Sequence, residues 1–151
     1  MTEFDYHIRE LQIEDYGRGF IDCLKELTIV GEVSLEMFQK RFEERKRQGV
    51  MTVVAVDNKT LKILGTASMF YEPKFIRECS VKAYIEDVCV APYAQKRGIG
   101  KRLVMYLEEK ALKDGCYKVI LTCSESNKRF YQKMNFKKTE VAMAIYSNTS
   151  Q

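Results

Sequence analysis

The chain has 151 residues, 46% of them hydrophobic, which is enough for one domain with a sizeable core. Its 25 Lys and Arg are set against 21 Asp and Glu, a formal net charge of +4; acidic residues are interspersed almost throughout, so a nucleic-acid partner is not expected and a small anionic ligand fits better. Five cysteines without a CxxC pair and a single histidine, His7, point away from a disulfide framework, a zinc knuckle, or a histidine-based metal site or triad.

Charges at Glu3, Asp5, Arg9 and Glu10 stand where a signal peptide needs an apolar core, and no segment approaches the roughly 18 apolar residues of a membrane span. The expectation is a soluble, cytoplasmic protein with no metal and no membrane span. No repeat, low-complexity tract or linker divides the chain, so residues 1–151 are expected to form a single domain.

Taken in order, Tyr6 to Ile13 reads as a short strand, and Phe20, Ile21, Leu24 and Leu27 have helical spacing. Ser34 is placed to cap a second helix with Leu35, Phe38 and Phe42 on its apolar face. The β-branched run Val50 to Val56, the turn Asp57-Asn58-Lys59-Thr60 and the run Ile63 to Tyr71 read as an antiparallel hairpin. Tyr84 to Val90 is a further strand, followed by a long amphipathic helix carrying Ile99, Leu103, Leu107 and Ala111 on one face and closed by Gly115. Lys118 to Cys123 reads as a strand, Asn127 to Met134 as a short helix, Asn135 as a left-handed position and Phe136 to Tyr146 as a final strand. The expected architecture is α/β or α+β: a mixed sheet, antiparallel in its first half, helices on both faces, and a strand, Gly-rich turn, helix, strand unit in its second half.

The junction Gln95-Lys96-Arg97-Gly98-Ile99-Gly100-Lys101 hands a strand over to a helix. Two glycines let backbone approach a ligand, and the first helical turn presents unpaired N–H groups and partial positive charge, which suits phosphate oxygens. A solvated helix start with ordinary basic residues is the competing reading. Upstream, Glu86 and Asp87 are adjacent carboxylates inside an apolar strand, so alternation sends their side chains to opposite faces, one of them toward a ligand cleft. Burying carboxylates there is costly unless they are partnered, which favours a site role over salt bridging alone.

Gln-x-x-Gly-x-Gly after Val90-Ala91-Pro92 resembles the acetyl-CoA pyrophosphate loop of the GNAT superfamily, and Asn127 with Tyr131 resembles its Asn-x-x-x-Tyr helix. Within that superfamily the chain resembles the glucosamine-6-phosphate N-acetyltransferases. The matching blocks are Leu24 to Gly31, Lys74-Phe75-Ile76 leading to Ile85-Glu86-Asp87-Val88, and Gly115 to Leu121, so the likeness runs from about Tyr6 to Ile145. It implies a GNAT fold, acetyl-CoA as cosubstrate, transfer to the amine of an amino-sugar phosphate, and a homodimer.

The resemblance also implies site residues. Glu86 and Asp87 would hold the amino sugar and help remove its proton, while backbone from Asp87 to Val88 would meet the acetyl end of the cosubstrate. Gln95, Lys96, Arg97, Gly98, Ile99, Gly100 and Lys101 would cradle the pyrophosphate, Asn127 would bind the pantetheine arm, and Tyr131 would protonate the departing sulfur. Thr28, Lys74, Phe75, Ile76 and Arg77 match sugar-binding positions. For Tyr131 the competing role is core packing, and for Asn127 a helix cap; Cys89 lacks an activating base and does not read as a covalent nucleophile.

There are three departures from the family pattern: Thr122 replaces an acid, Tyr146 an arginine near the C-terminus, and Arg77 a histidine. Charge accounting gives phosphate recognition to Arg77 beside Lys74. Another amine acceptor and a non-catalytic acetyl-CoA sensor remain the alternative functions.

Overall fold

A computed structural model describes residues 5–148. The chain divides into two compact units, Met1–Leu121 and Thr122–Gln151.

The first unit is built on a five-stranded sheet in the order β1-β2-β3-β4-β5. The strands are β1 (Tyr6–Glu10), β2 (Met51–Asp57), β3 (Ile63–Pro73), β4 (Val81–Val90) and β5 (Lys118–Leu121). Pairs β1–β2, β2–β3 and β3–β4 are antiparallel and β4–β5 is parallel, so the mixed sheet has the expected antiparallel first half. The hairpin between β2 and β3 turns where Asp57 Oδ1 accepts from the N–H groups of Lys59 and Thr60, at 2.9 and 2.8 Å. Such a side-chain to backbone closure is what Asp supplies at a turn. A single turn, α3 (Ile76–Cys79), joins β3 to β4, with positive φ at Arg77, Glu78 and Cys79.

Helices α1 (Phe20–Leu24) and α2 (Leu35–Arg47) cover one face of the sheet. Phe20, Cys23 and Phe38 pack there against Val54, Val56, Ile63 and Cys89. Ser34 caps α2 as expected, its hydroxyl accepting from Met37 N–H at 3.2 Å. β1 is shorter than its sequence pattern because the chain turns at Gln12 into a 3-10 helix, Ile13–Arg18. That turn is anchored by Asp15, fully buried, which accepts from the Gln12 N–H and from both terminal nitrogens of Arg9. Those bonds hold the Asp15 carboxyl below the usual range despite its burial.

Helix α4 (Ile99–Lys113) packs on β3 and β4. Its predicted face, Ile99, Leu103, Leu107 and Ala111, is buried, and Gly115 ends it with φ of 87°. Gly65 on β3 allows this approach. A Cβ there would lie 2.9 Å from the Cys89 carbonyl oxygen and 3.1 and 3.3 Å from Leu103 and Ile99 side-chain atoms.

The second unit contains a 3-10 turn, Glu125–Asn127, and α5 (Lys128–Gln132), with φ of 67° at Asn135 as its sequence position suggests. The expected strand over Phe136 to Tyr146 is not formed: these residues carry no regular structure, and Val141, Met143 and Ile145 are exposed. A strand requires a partner for its backbone groups, and no described strand pairs with this one.

The Gly65 contacts make a direct test. Gly65→Ala should destabilise the protein by about 1–3 kcal/mol, the usual cost of overpacking against backbone, read as a lowered Tm with a correspondingly lowered urea midpoint.

Candidate active site

The central feature is a β-bulge in β4. Thr66 pairs with Cys89 and Ser68 with Glu86, so two steps along β3 span three along β4. Asp87 and Val88 together face Ala67, and Asp87 takes a φ of 52°. An inserted residue of this kind leaves backbone out of the ladder and interrupts side-chain alternation. The strict alternation from which Glu86 and Asp87 are expected on opposite faces is therefore interrupted between them. Glu86 shares a face with its partner Ser68, and Asp87 lines a cavity of about 270 Å³ together with Ser68 and Thr66.

That cavity lies between the sheet and α1–α2, with apolar walls from Phe20, Leu24, Phe38 and Phe42. Its polar wall is Arg45, whose Nη2 donates to Thr52 Oγ1 at 3.0 Å and Ser68 Oγ at 2.8 Å. Burial lowers the Arg45 guanidinium from its usual value, while the Asp87 charge works in the opposite direction. Glu86 is raised from the ordinary glutamate value, first by desolvation and then by the neighbouring Asp87 charge. A carboxylate with raised proton affinity is the better acceptor for an ammonium proton.

The Gly-rich turn is built as a ligand loop requires. Lys96 and Gly98 have φ of 60° and 78°, and α4 starts at Gly98 with no side chain capping its first N–H groups. Ile99 and Gly100 are buried beneath the turn. The Gln95 amide closes the loop from behind, donating to the Val90 carbonyl and to Glu26 Oε2, each at 3.2 Å.

The positions matched to sugar binding lie elsewhere in the first unit. Thr28 is exposed after α1. Lys74 Nζ donates to Glu72 Oε1 at 3.0 Å, Phe75 and Ile76 are exposed, and the Arg77 guanidinium lies 5.1 Å over the Tyr117 ring. Cys89 is buried with its Sγ 3.7 Å from that of Cys23, and this contact and burial push its thiol up, so no thiolate forms for covalent catalysis. Sequence reasoning passed over Arg45, Ser68 and Lys82, since isolated basic and hydroxyl residues carry no pattern of their own.

In the second unit, Asn127 begins α5 without a side-chain cap bond, so capping does not occupy its amide. Tyr131 is buried, edge-on to Phe130 and Phe136 at 4.9 and 6.0 Å between centroids. Burial raises its phenol, with the Cys123 charge adding to the shift. Thr122 and Tyr146 are exposed. Among the described residues no helix is long and apolar enough to cross a membrane, and no three His, Cys, Asp or Glu side chains are grouped to hold a metal ion.

Comparison with known proteins agrees with this geometry. The model of the Acetyltransferase (GNAT) family matches residues 5–136. Glucosamine 6-phosphate N-acetyltransferase 1 of Dictyostelium discoideum is 39% identical over 143 residues, covering 93% of this chain and 90% of that protein. The Arabidopsis thaliana glucosamine 6-phosphate N-acetyltransferase is also 39% identical, over 93% of this chain and 96% of its own length. A crystal structure of the Arabidopsis enzyme superposes with a TM-score of 0.90 at 38% identity, covering 94% and 98% of the two chains. A Trypanosoma brucei acetyltransferase gives 0.89 at 35% identity, covering 95% and 100%. With the bulged strand, the uncapped Gly-rich helix start and a family match across most of its length, the chain belongs to the GNAT family of acetyltransferases, which use acetyl-CoA.

Proposed function

We propose that this acetyltransferase moves the acetyl group of acetyl-CoA to the amine of glucosamine 6-phosphate, giving N-acetylglucosamine 6-phosphate and CoA. The observation that carries the reading is the bulge at Glu86 and Asp87, in a chain 39% identical to two enzymes named for that substrate. The match over residues 5–136 spans both compact units and supports a single acetyltransferase domain.

Each step has a residue suited to it. Glu86, with its raised proton affinity, takes the proton from the substrate ammonium directly or through water, and Asp87 helps hold the amine. Backbone released from the ladder at Asp87–Val88 donates to the thioester oxygen as negative charge develops there. The nitrogen–carbon bond forms, the carbon–sulfur bond breaks, Tyr131 gives its proton to the sulfur, and the proton that the acylated nitrogen gives up restores the phenol. A phenol is protonated at neutral pH, and burial raises this one further. The turn from Gln95 to Lys101 and Asn127 serve the cosubstrate; Thr28, Lys74, Phe75, Ile76 and Arg77 serve the sugar phosphate. A cytoplasmic setting accords with five free cysteines.

Homodimerisation is part of the same reading. Val141, Met143 and Ile145, at 78%, 93% and 98% exposure, alternate as the apolar face of a strand does, and a second copy would supply the missing partner.

Thiol release from acetyl-CoA should depend on added glucosamine 6-phosphate; no release with this sugar would remove the proposal. Because the Glu86 base is lost as pH falls through its raised value, the acid limb of kcat/KM should lie above the ordinary glutamate value of about 4.3, and Glu86→Gln should abolish it with most of the activity. Tyr131→Phe, which keeps the ring and removes the proton donor, should lower kcat ~100-fold or more with acetyl-CoA binding by calorimetry little changed; an unaltered kcat would return Tyr131 to packing alone. Sedimentation equilibrium should give twice the 17.6 kDa chain mass, whereas the chain mass itself would rule out the dimer.

A further inference from the structure

Below the bulge, Lys82, Tyr84 and Glu86 alternate onto one face of β4. Their register partners on β3 are Glu72, Phe70 and Ser68, and Lys118 of β5 stands beside Lys82. The Tyr84 ring stacks on Phe70 with centroids 4.8 Å apart, and Lys82 Nζ lies 4.6 Å from the Tyr84 centroid. This ammonium is therefore drawn along the strand toward Glu86.

The charges around it do not balance locally. Glu72 serves two ammonium groups, Lys74 Nζ at 3.0 Å on one oxygen and Lys82 Nζ at 3.6 Å on the other. The first is a hydrogen bond; the second is beyond hydrogen-bond length. The Lys82 side chain is 12% exposed, and its ammonium rests between a long ion pair and an aromatic face. Two ammonium groups sharing one carboxylate leave a net positive charge that an anion can complete. Tyr84 foremost, then Glu72, hold this ammonium above the usual lysine range, and it stays charged at neutral pH.

We propose that Lys82, with Lys74, seats the phosphate of the acceptor and sets the preference for a phosphorylated amino sugar. This rests on the reading of glucosamine 6-phosphate as acceptor and assigns a residue that the sequence resemblance did not mark. Four residues of strand span about 13 Å, and folding Lys82 over Tyr84 brings its ammonium to roughly half that distance from Glu86. The C2 amine and C6 phosphate of the sugar stand across the ring from each other at a comparable separation. With the amine at Glu86, the phosphate reaches the pair of ammonium groups that share Glu72. A dianion matches two such cations better than one carboxylate does. Lys82 thus adds a cation on β4 to Lys74 and Arg77 where Tyr146 supplies none.

Kinetics with glucosamine 6-phosphate and with unphosphorylated glucosamine test the assignment, together with calorimetric titration of N-acetylglucosamine 6-phosphate into enzyme and CoA. Lys82→Met, which keeps the stem and is checked for unchanged Tm, should raise KM for the sugar phosphate about tenfold or more, the usual effect of losing a charge-assisted contact. It should weaken the titrated product similarly and leave both KM for acetyl-CoA and the rate with glucosamine unchanged. Lys82→Arg should restore most of the sugar-phosphate affinity. An unchanged KM in Lys82→Met, or equal losses with both sugars, would overturn the assignment while the acceptor reading stood. A wild-type enzyme indifferent to the phosphate would overturn both.

Discussion

The seam between β3 and β4 is the constraint on which the rest of the molecule depends. Two antiparallel strands of equal step would pair throughout and present nothing but side chains. Setting Asp87 and Val88 opposite the single residue Ala67 breaks that pairing at one place. The strand bends, backbone is released and the alternation of side chains is interrupted at two carboxylates. A few residues along β3, Gly65 lets α4 and the β4 carbonyl come close, which brings the uncapped start of α4 against the sheet. The acid–base groups and the anion-binding helix start are thus tied to one pair of strands.

Charge is divided along the same face. Near the bulge, Arg45 spends Nη2 on Thr52 and Ser68 while its positive charge faces Asp87 across the cavity. Toward the other end of β4, Glu72 links Lys74 to Lys82 beside the stacked Tyr84 and Phe70 rings. One region therefore sets the Asp87 carboxylate against the Arg45 guanidinium, and the other sets two ammonium groups on a shared carboxylate. Backbone strain is concentrated beside the cationic end, where Arg77, Glu78 and Cys79 all take positive φ. Such conformations cost energy and persist where surrounding structure holds them, commonly at binding sites.

Much of this was legible from residue order because it depends on local chemistry. Apolar spacing in Ile99, Leu103, Leu107 and Ala111 required a helix with one buried face, Ser34 marked the start of α2, and Gly115 and Asn135 marked left-handed turns. The β2–β3 turn could be read from Asp57. The strand, Gly-rich turn and helix at Gln95 to Lys101 carry the family resemblance in the residue order itself, since φ at Gly98 and an uncapped helix start are properties of a few adjacent residues.

What tertiary structure decided are features that no short window contains. Strand alternation by itself sent Glu86 and Asp87 apart; only the register against Ser68 and Thr66 shows the extra residue that interrupts that alternation. The run Phe136 to Tyr146 has the composition of a strand, yet strand formation depends on a partner's backbone, which the described residues do not supply. Lys82 and Arg45 are ordinary basic residues until Glu72, Tyr84, Thr52 and Ser68 converge on them from other elements. The sequence by itself determined the helices, turns and family, which arise from neighbours in the chain, whereas the site's charge arrangement arises from residues brought together across strands.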